Sequence, residues 1–166
     1  MLIKGNDPSA AFNLGNMLRA CGRNVEAEAA LRAATRLDPA FAEAWYNLGD
    51  LLDDQGRSEA AVESLRKAVQ VAPDYSDAMF NLALLLQRTN QCAEAADYWR
   101  RYLAIDGQSE WASRARRSLK FCEMQQHLIL KAERFTRGWL SRPCGAARGP
   151  RLQYFGRRLK HHSKAA

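Results

Sequence analysis

The feature that most constrains this chain is a recurrence at a fixed offset of 34 residues. Tyr46-Asn47-Leu48-Gly49 is preceded, 34 residues upstream, by Phe12-Asn13-Leu14-Gly15 and followed, 34 downstream, by Phe80-Asn81-Leu82-Ala83. The same offset relates Leu18, Leu52 and Leu86, then Ala27, Ala61 and Ala95, and finally Pro39 and Pro73. A period of this length encodes one supersecondary unit, which cannot bury its apolar face alone and must stack on copies of itself. Within the second unit, Trp45, Leu48 and Leu52 fall at steps of three and four, the spacing of one helical face. Gly56-Arg57-Ser58 predicts a turn, with Ser58 as N-cap, and Ala60, Ala61, Leu65 and Ala68 predict the inner stripe of a second helix. Pro73 ends that helix. The expected architecture is all-α: helix, tight turn and helix, three times over.

The pattern of aromatic-Asn-Leu-Gly/Ala in one helix, Ala and Leu in the next and a closing Pro resembles the tetratricopeptide repeat family, from about Pro8 to Gly107. The resemblance implies a solenoid of antiparallel helix pairs, wound as a right-handed superhelix, whose first helices line a concave surface. The expected layout is a lead over residues 1–7 and repeats over 8–41, 42–75 and 76–109. A capping helix over 110–135 and a disordered basic tail over 136–166 follow. Repeat one is weak at Ala11, which stands where repeat two has Trp45. Repeat three departs further: Asn90 stands at the turn, Trp99 in the Leu65 position, Tyr102 in the small Ala68 position and Gly107 in place of the proline. Asn90 can adopt the left-handed turn conformation. Tyr102 is expected to tilt outward or onto the next helix. Ala112, Ala115, Leu119 and Cys122 form the apolar stripe of the cap, with Arg114, Arg116, Arg117 and Lys120 on its solvent face. Gly138, Pro143 and Gly145 are expected to break any helix beyond about Phe135.

Composition removes several classes of function. No uninterrupted apolar run is long enough for a membrane span, and the polar N-terminus does not resemble a signal peptide. A cytoplasmic, bacterial-type protein is the expectation. Cys21, Cys92, Cys122 and Cys144 lack Cys-x-x-Cys spacing and read as free thiols, and His127, His161 and His162 have no companion ligands. No phosphate loop, nucleophile elbow or zinc motif is present. Adjacent Asp53 and Asp54 point about 100° apart on a helix and do not make a catalytic pair. The protein is therefore expected to be no enzyme and to need no cofactor or metal.

The strongest candidate site is the ladder Asn13, Asn47, Asn81. A carboxamide both donates and accepts, so a stack of them can pair with the backbone of an extended ligand whatever its side chains. The ladder is similar to that in the solenoid of the nucleocytoplasmic N-acetylglucosamine transferases, where such asparagines hold a peptide. The competing structural reading is that these asparagines bridge neighbouring repeats. Asn16 and Asp50 are candidates for side-chain selectivity, and Phe12, Tyr46 and Phe80 for the groove edge, with core packing the alternative for Phe12 and Phe80. Glu43, Asp50, Asp53, Asp54 and Asp77 predict a negative field favouring a neutral or basic peptide. Chaperone-binding members of the family clamp a C-terminal carboxylate. Asn16 and Asn47 match the two asparagine positions of that clamp, but its cationic positions hold Phe12, Asp77 and Asn81, so chaperone-tail binding is not expected.

Charge supplies the rival reading. Residues 1–111 carry 11 Lys+Arg against 16 Asp+Glu, a net −5, and residues 112–166 carry 14 against 2, a net +12. The basic end, with Arg114, Arg117, Arg157, Arg158 and Lys160 as candidate anion-binding residues, could contact nucleic acid by counterion release, or an anionic membrane surface. Tyr98 to Leu103 with Trp111 to Leu119 also resembles the end of a bacterial tetratricopeptide group, some of whose members carry a MerR-type DNA-binding motif ahead of the repeats. The leading expectation is a non-catalytic adaptor that binds a peptide or partner helix in its groove. The alternative is a transcription-associated regulatory protein that contacts nucleic acid through its basic helix and tail. Oligomeric state is left open.

Overall fold

The computed structural model describes residues 7–140. Seven helices follow one another: α1 (Pro8–Ala20), α2 (Asn24–Leu37), α3 (Ala42–Asp54), α4 (Ser58–Val71), α5 (Ser76–Arg88), α6 (Cys92–Ile105) and α7 (Glu110–Leu140). α1 packs on α2, α3 on α4 and α5 on α6, with α2 against α3 and α4 against α5 bridging the pairs. The described residues divide into two units, one ending at Leu130 and one starting at Lys131. The site discussed below belongs wholly to the first.

Each hairpin turn repeats one hydrogen-bond pattern. Arg23, Arg57 and Gln91 donate their amides to the carbonyls of Leu18, Leu52 and Leu86, at 2.9, 3.0 and 2.8 Å. Gly22 and Gly56 adopt φ of 73° and 74°, and Asn90 takes the same place at 63°. A bond spanning five residues around a left-handed residue closes a helix C-terminus with backbone groups alone. Ser58 is the first helical residue and not the N-cap; Arg57 holds the cap position, and its side chain makes no capping bond. The backbone turn already fixes the helix start, so the serine hydroxyl is not required there.

The second helices end in extended residues. Asp38 and Ala72 have φ/ψ of −134°/97° and −123°/90°, as the following Pro39 and Pro73 demand. Asp106 adopts −118°/96° without a proline after it. Its side chain supplies the restraint instead: Oδ2 accepts from the Tyr102 hydroxyl at 2.7 Å and from the Ser109 hydroxyl, and Oδ1 accepts from the Ser109 amide at 3.0 Å. The Ser109 hydroxyl accepts in turn from the Ala112 amide at 3.1 Å, which starts α7. The hydrogen bonds from the Ser109 and Tyr102 hydroxyls hold the Asp106 carboxyl down to about 2. A folded pKa below the unfolded value means stability that is present above about pH 4 and lost as pH falls toward 2. Acid titration followed by helicity should therefore show this loss in the wild type and a flatter profile over that window in Asp106→Asn.

The core runs along the interfaces between helices. Leu31, Leu48, Leu52, Leu65, Leu82, Leu86 and Trp99 are 2% exposed or less. Tyr102 does not tilt outward, the first of its two expected placements. It is buried, with its ring edge-on to Phe80 at 5.2 Å, because Asp106 takes up its hydroxyl and an aromatic cluster surrounds the ring. Ala112, Ala115 and Cys122 of α7 are fully buried, and Leu119 packs beside them. α7 continues through Gly138 to Leu140, past the expected end at Phe135. One interior glycine costs about 1 kcal/mol relative to alanine, which a helix of this length tolerates. The Glu133–Arg137 pair at 3.2 Å lies one turn apart in the same segment.

Candidate functional site

The first helix of each repeat presents its asparagine on one face, and side-chain bonds tie that face together. Asn47 donates to Asn16 Oδ1 at 2.8 Å, and Asn81 donates to the Tyr46 hydroxyl at 3.2 Å. Both asparagines are half-buried; Asn13 is exposed. A carboxamide has two N–H donors and an acceptor oxygen. After bridging to the preceding repeat, Asn47 and Asn81 each keep one donor and the oxygen without a protein partner among the described residues. Bridging and ligand binding thus use different atoms of the same side chain.

Tyr46 is positioned by the next loop: its ring lies 5.2 Å from that of Tyr75, as Phe12 lies 4.9 Å from Phe41. Burial, helped by Asp50 and Asp77, raises the Tyr46 phenol above its ordinary value, and burial pushes Tyr75 up to about 12. The Tyr46 hydroxyl, which accepts from Asn81, therefore keeps its own proton for donation. Phe80 is 7% exposed and packs edge-on to Trp99, Tyr102 and Trp111 at 5.0 to 5.4 Å. It is a core residue whose rim forms the floor of the site.

The acidic residues behave differently from the sequence expectation. Arg19 meets Asp50 at 2.7 Å and Asp54 at 2.5 Å, and Arg88 makes a two-pronged contact with Asp53 at 2.6 and 2.9 Å. Asp53 and Asp54 thus turn to arginines of different repeats, on opposite sides of α3. For Arg19, desolvation opposes the charged form, but its bonds to the two carboxylates outweigh it and raise the pKa. These pairs are exposed enough that each contributes about 1 kcal/mol or less. Their larger effect is on the field. Of the five carboxylates expected to make the groove negative, Asp50 and Asp54 share Arg19 and Asp53 pairs with Arg88, so two arginines offset part of that charge. Glu43 and Asp77 are exposed and without a salt bridge among the described residues.

At the third repeat the face deepens into a cleft of about 410 Å³. Tyr46, Asp77, Phe80, Asn81, Trp111 and Arg114 are among the residues that line it. Arg114 was expected on the solvent face of the cap. It is exposed, and its guanidinium lies 5.7 Å from the Phe80 ring centre and 5.9 Å from that of Trp111. The period explains why. Arg114 stands 34 residues beyond Phe80, and Ala112 stands 34 beyond Ala78. The start of α7 is therefore in register as a fourth first-helix, and Arg114 fills the fourth place in the column Phe12, Tyr46, Phe80. Extending the offset one step past the third repeat would have found it. Arg117, by contrast, is exposed on α7 away from this cleft. Arg157, Arg158 and Lys160 lie outside the described residues, as does the tail beyond Leu140.

Among the described residues there is no cluster of three or more His, Cys, Asp or Glu placed to hold a metal ion. No described helix is long and apolar enough to cross a membrane. The cleft offers hydrogen-bond donors and acceptors, aromatic edges and the Arg114 cation.

Comparison with known proteins agrees with this architecture. The structure is similar to that of MamA, at 22% identity over 81% of this protein and 77% of that one, with a TM-score of 0.67. It is similar to the TPR domain of P58(IPK), at 25% identity over 80% of this protein and 37% of that one, with a TM-score of 0.71. The Yersinia enterocolitica type III secretion chaperone SycD, solved with a peptide of the translocator YopD, matches at 16% identity, over 71% of this protein and 93% of that one, with a TM-score of 0.64. No curated protein matches in sequence. The family model for the tetratricopeptide repeat matches residues 12–75 and again residues 46–110, two overlapping windows one repeat apart. Repeat length, helix pairing, turn geometry and this match agree: the protein belongs to the tetratricopeptide repeat family, a fold of non-catalytic repeats.

Proposed function

We propose that this protein is an adaptor that binds an extended peptide or a partner helix along the face shared by α1, α3 and α5. The observation that carries the reading is the asparagine ladder: Asn13, Asn47 and Asn81 on one face, with hydrogen-bonding atoms to spare after the repeats have been bridged. A ligand backbone offers one donor and one acceptor per residue, and spare carboxamides complement it irrespective of sequence. Selectivity then falls to the aromatic cleft at the third repeat. That SycD, of similar fold, is seen in complex with a peptide supports a peptide as occupant.

The test is direct binding. Peptides selected on the full-length protein from a displayed random library would be titrated, by fluorescence polarisation, against the wild type and the Asn13→Ala/Asn47→Ala/Asn81→Ala variant. Three lost hydrogen bonds at about 1 kcal/mol each predict a loss on the order of a hundredfold. Asn47 and Asn81 also bridge repeats, so Asn13→Ala alone is the cleaner control: a loss of roughly three- to tenfold with unchanged thermal midpoint. Equal affinity for the triple variant and the wild type would remove the ladder from the binding site. Nucleic acid is the rival partner. A steep salt dependence of binding, abolished by removing residues 141–166 and indifferent to the asparagines, would select it.

A further inference from the structure

We infer that the cleft closed by α7 recognises a large apolar residue adjacent to a carboxylate, the carboxylate pairing with Arg114; this rests on the groove reading above and names what its selective end takes. Arg19, Arg66, Arg88 and Arg100 each meet acidic side chains within the protein. Arg114 has no ion-pair partner among the described residues. Its guanidinium is instead laid over two aromatic rings, Phe80 and Trp111, at the mouth of a cleft. Stacking restrains a guanidinium in place while its N–H fork stays open to an anion, and carboxylate is the partner that fork fits two-pronged.

The rest of the cleft specifies what accompanies the charge. Trp111 is 57% exposed, a large ring edge left uncovered beside the guanidinium. The Phe80 rim and the Tyr46 ring complete an apolar seat for an aromatic or long aliphatic side chain. Tyr46 and Asn81 line the same space, and the hydroxyl and the uncommitted amide atoms can take the ligand's backbone. Asp77 lines the same cleft and opposes added negative charge, which favours one carboxylate, held by Arg114, over an acidic run. The same residue argues against a nucleic-acid strand, which would bring several phosphates to a cleft holding one cation and one acid. The carboxylate can come from Asp or Glu within a segment or from the free C-terminus of a partner.

The experiment uses the full-length protein and peptide libraries displayed in two formats, one with internal random segments and one with free C-termini. The expected result is enrichment of an aromatic or large aliphatic residue next to an acid in the first, or immediately before the terminus in the second; the format that enriches identifies the source. Synthetic versions of the selected peptides are then titrated. Changing the acid to its amide, or amidating the terminus, should weaken binding about tenfold or more, the scale of a lost charge-assisted pair. Arg114→Glu should weaken the acidic peptide at least as much, and should bind better a peptide carrying Lys at the acidic position. Arg114 is exposed, so helicity should match the wild type. Enriched peptides with no acid, or equal binding by Arg114→Glu, overturn this inference. If the same peptides still lose affinity in the asparagine triple variant, the groove reading survives that failure. A single-stranded oligonucleotide that displaces the peptides and is itself lost on Arg114→Glu would also overturn it, in favour of phosphate recognition.

Discussion

Trp99→Ala is expected to destabilise the protein by about 4 kcal/mol, in the range for deleting a buried aromatic side chain. Trp99 has no solvent exposure and lies 5.0 Å from Phe80 and 6.5 Å from Tyr102 in edge-on contacts. It sits in the position that Leu65 fills in the second repeat, so the third repeat is built around a larger side chain. Loss of the indole leaves a cavity beneath Phe80, the floor of the cleft, and the effect should spread to α7 because solenoid stability is shared between neighbours. The Trp99 indole N–H is buried without a hydrogen-bond partner. Trp99→Phe removes that unpaired donor together with part of the volume. The two effects oppose each other, and the cost should fall to about 1 kcal/mol. Urea unfolding followed by helicity measures both variants. A Trp99→Ala cost no greater than that of Trp99→Phe would show that the third repeat is not packed around this ring.

Gly49→Val is the second large effect, at about 3 kcal/mol, the upper part of the range for overpacking a core. A Cβ at Gly49 would lie 2.8 Å from Leu65 Cγ, 3.1 Å from its Cδ2 and 3.3 Å from the Ala61 carbonyl oxygen. Leu65 is 2% exposed and has nowhere to retreat, and the carbonyl belongs to the helix backbone. Gly15 faces Leu31 and the Ala27 carbonyl with nearly the same distances, one repeat earlier. Gly15→Val should cost less, because among the described residues the first repeat packs against one neighbouring repeat and the second against two. Thermal unfolding of the two variants side by side checks the order. A smaller loss at Gly49 than at Gly15 would contradict that order.

The helix pairs were legible because they rest on local and periodic rules. Gly49 and Ala61 fall in register as the close approach between helices, Gly22, Gly56 and Asn90 as left-handed turns, and Ala112, Ala115 and Cys122 as the buried stripe of α7. Each of these follows from backbone conformation or from a 34-residue offset. What could not be read were side-chain partnerships across repeats. Arg19 reaches Asp50 and Asp54, and Arg88 reaches Asp53, at separations of 31 and 35 residues. Those pairings depend on which of several rotamers point along the array. They offset part of the charge of a groove that composition alone makes acidic. Tyr102 looked too large for its position because its equivalent in the second repeat is Ala68, and the hydroxyl's partner, Asp106, is replaced there by Ala72. Arg114 was hidden differently. It was counted as part of a basic helix, although the repeat period runs on into that helix and assigns the residue to the groove.

The central claim is that the face of α1, α3 and α5 is where a partner sits. Its most direct test is an amide chemical-shift map of the isotope-labelled full-length protein titrated with a library-selected peptide. The account predicts shifts in the side-chain amides of Asn13, Asn47 and Asn81, in the Trp111 indole and in the Arg114 guanidinium, with α2 and α4 quiet. Shifts confined to the second helices, or to α7 beyond Leu128, would place the partner elsewhere and contradict it.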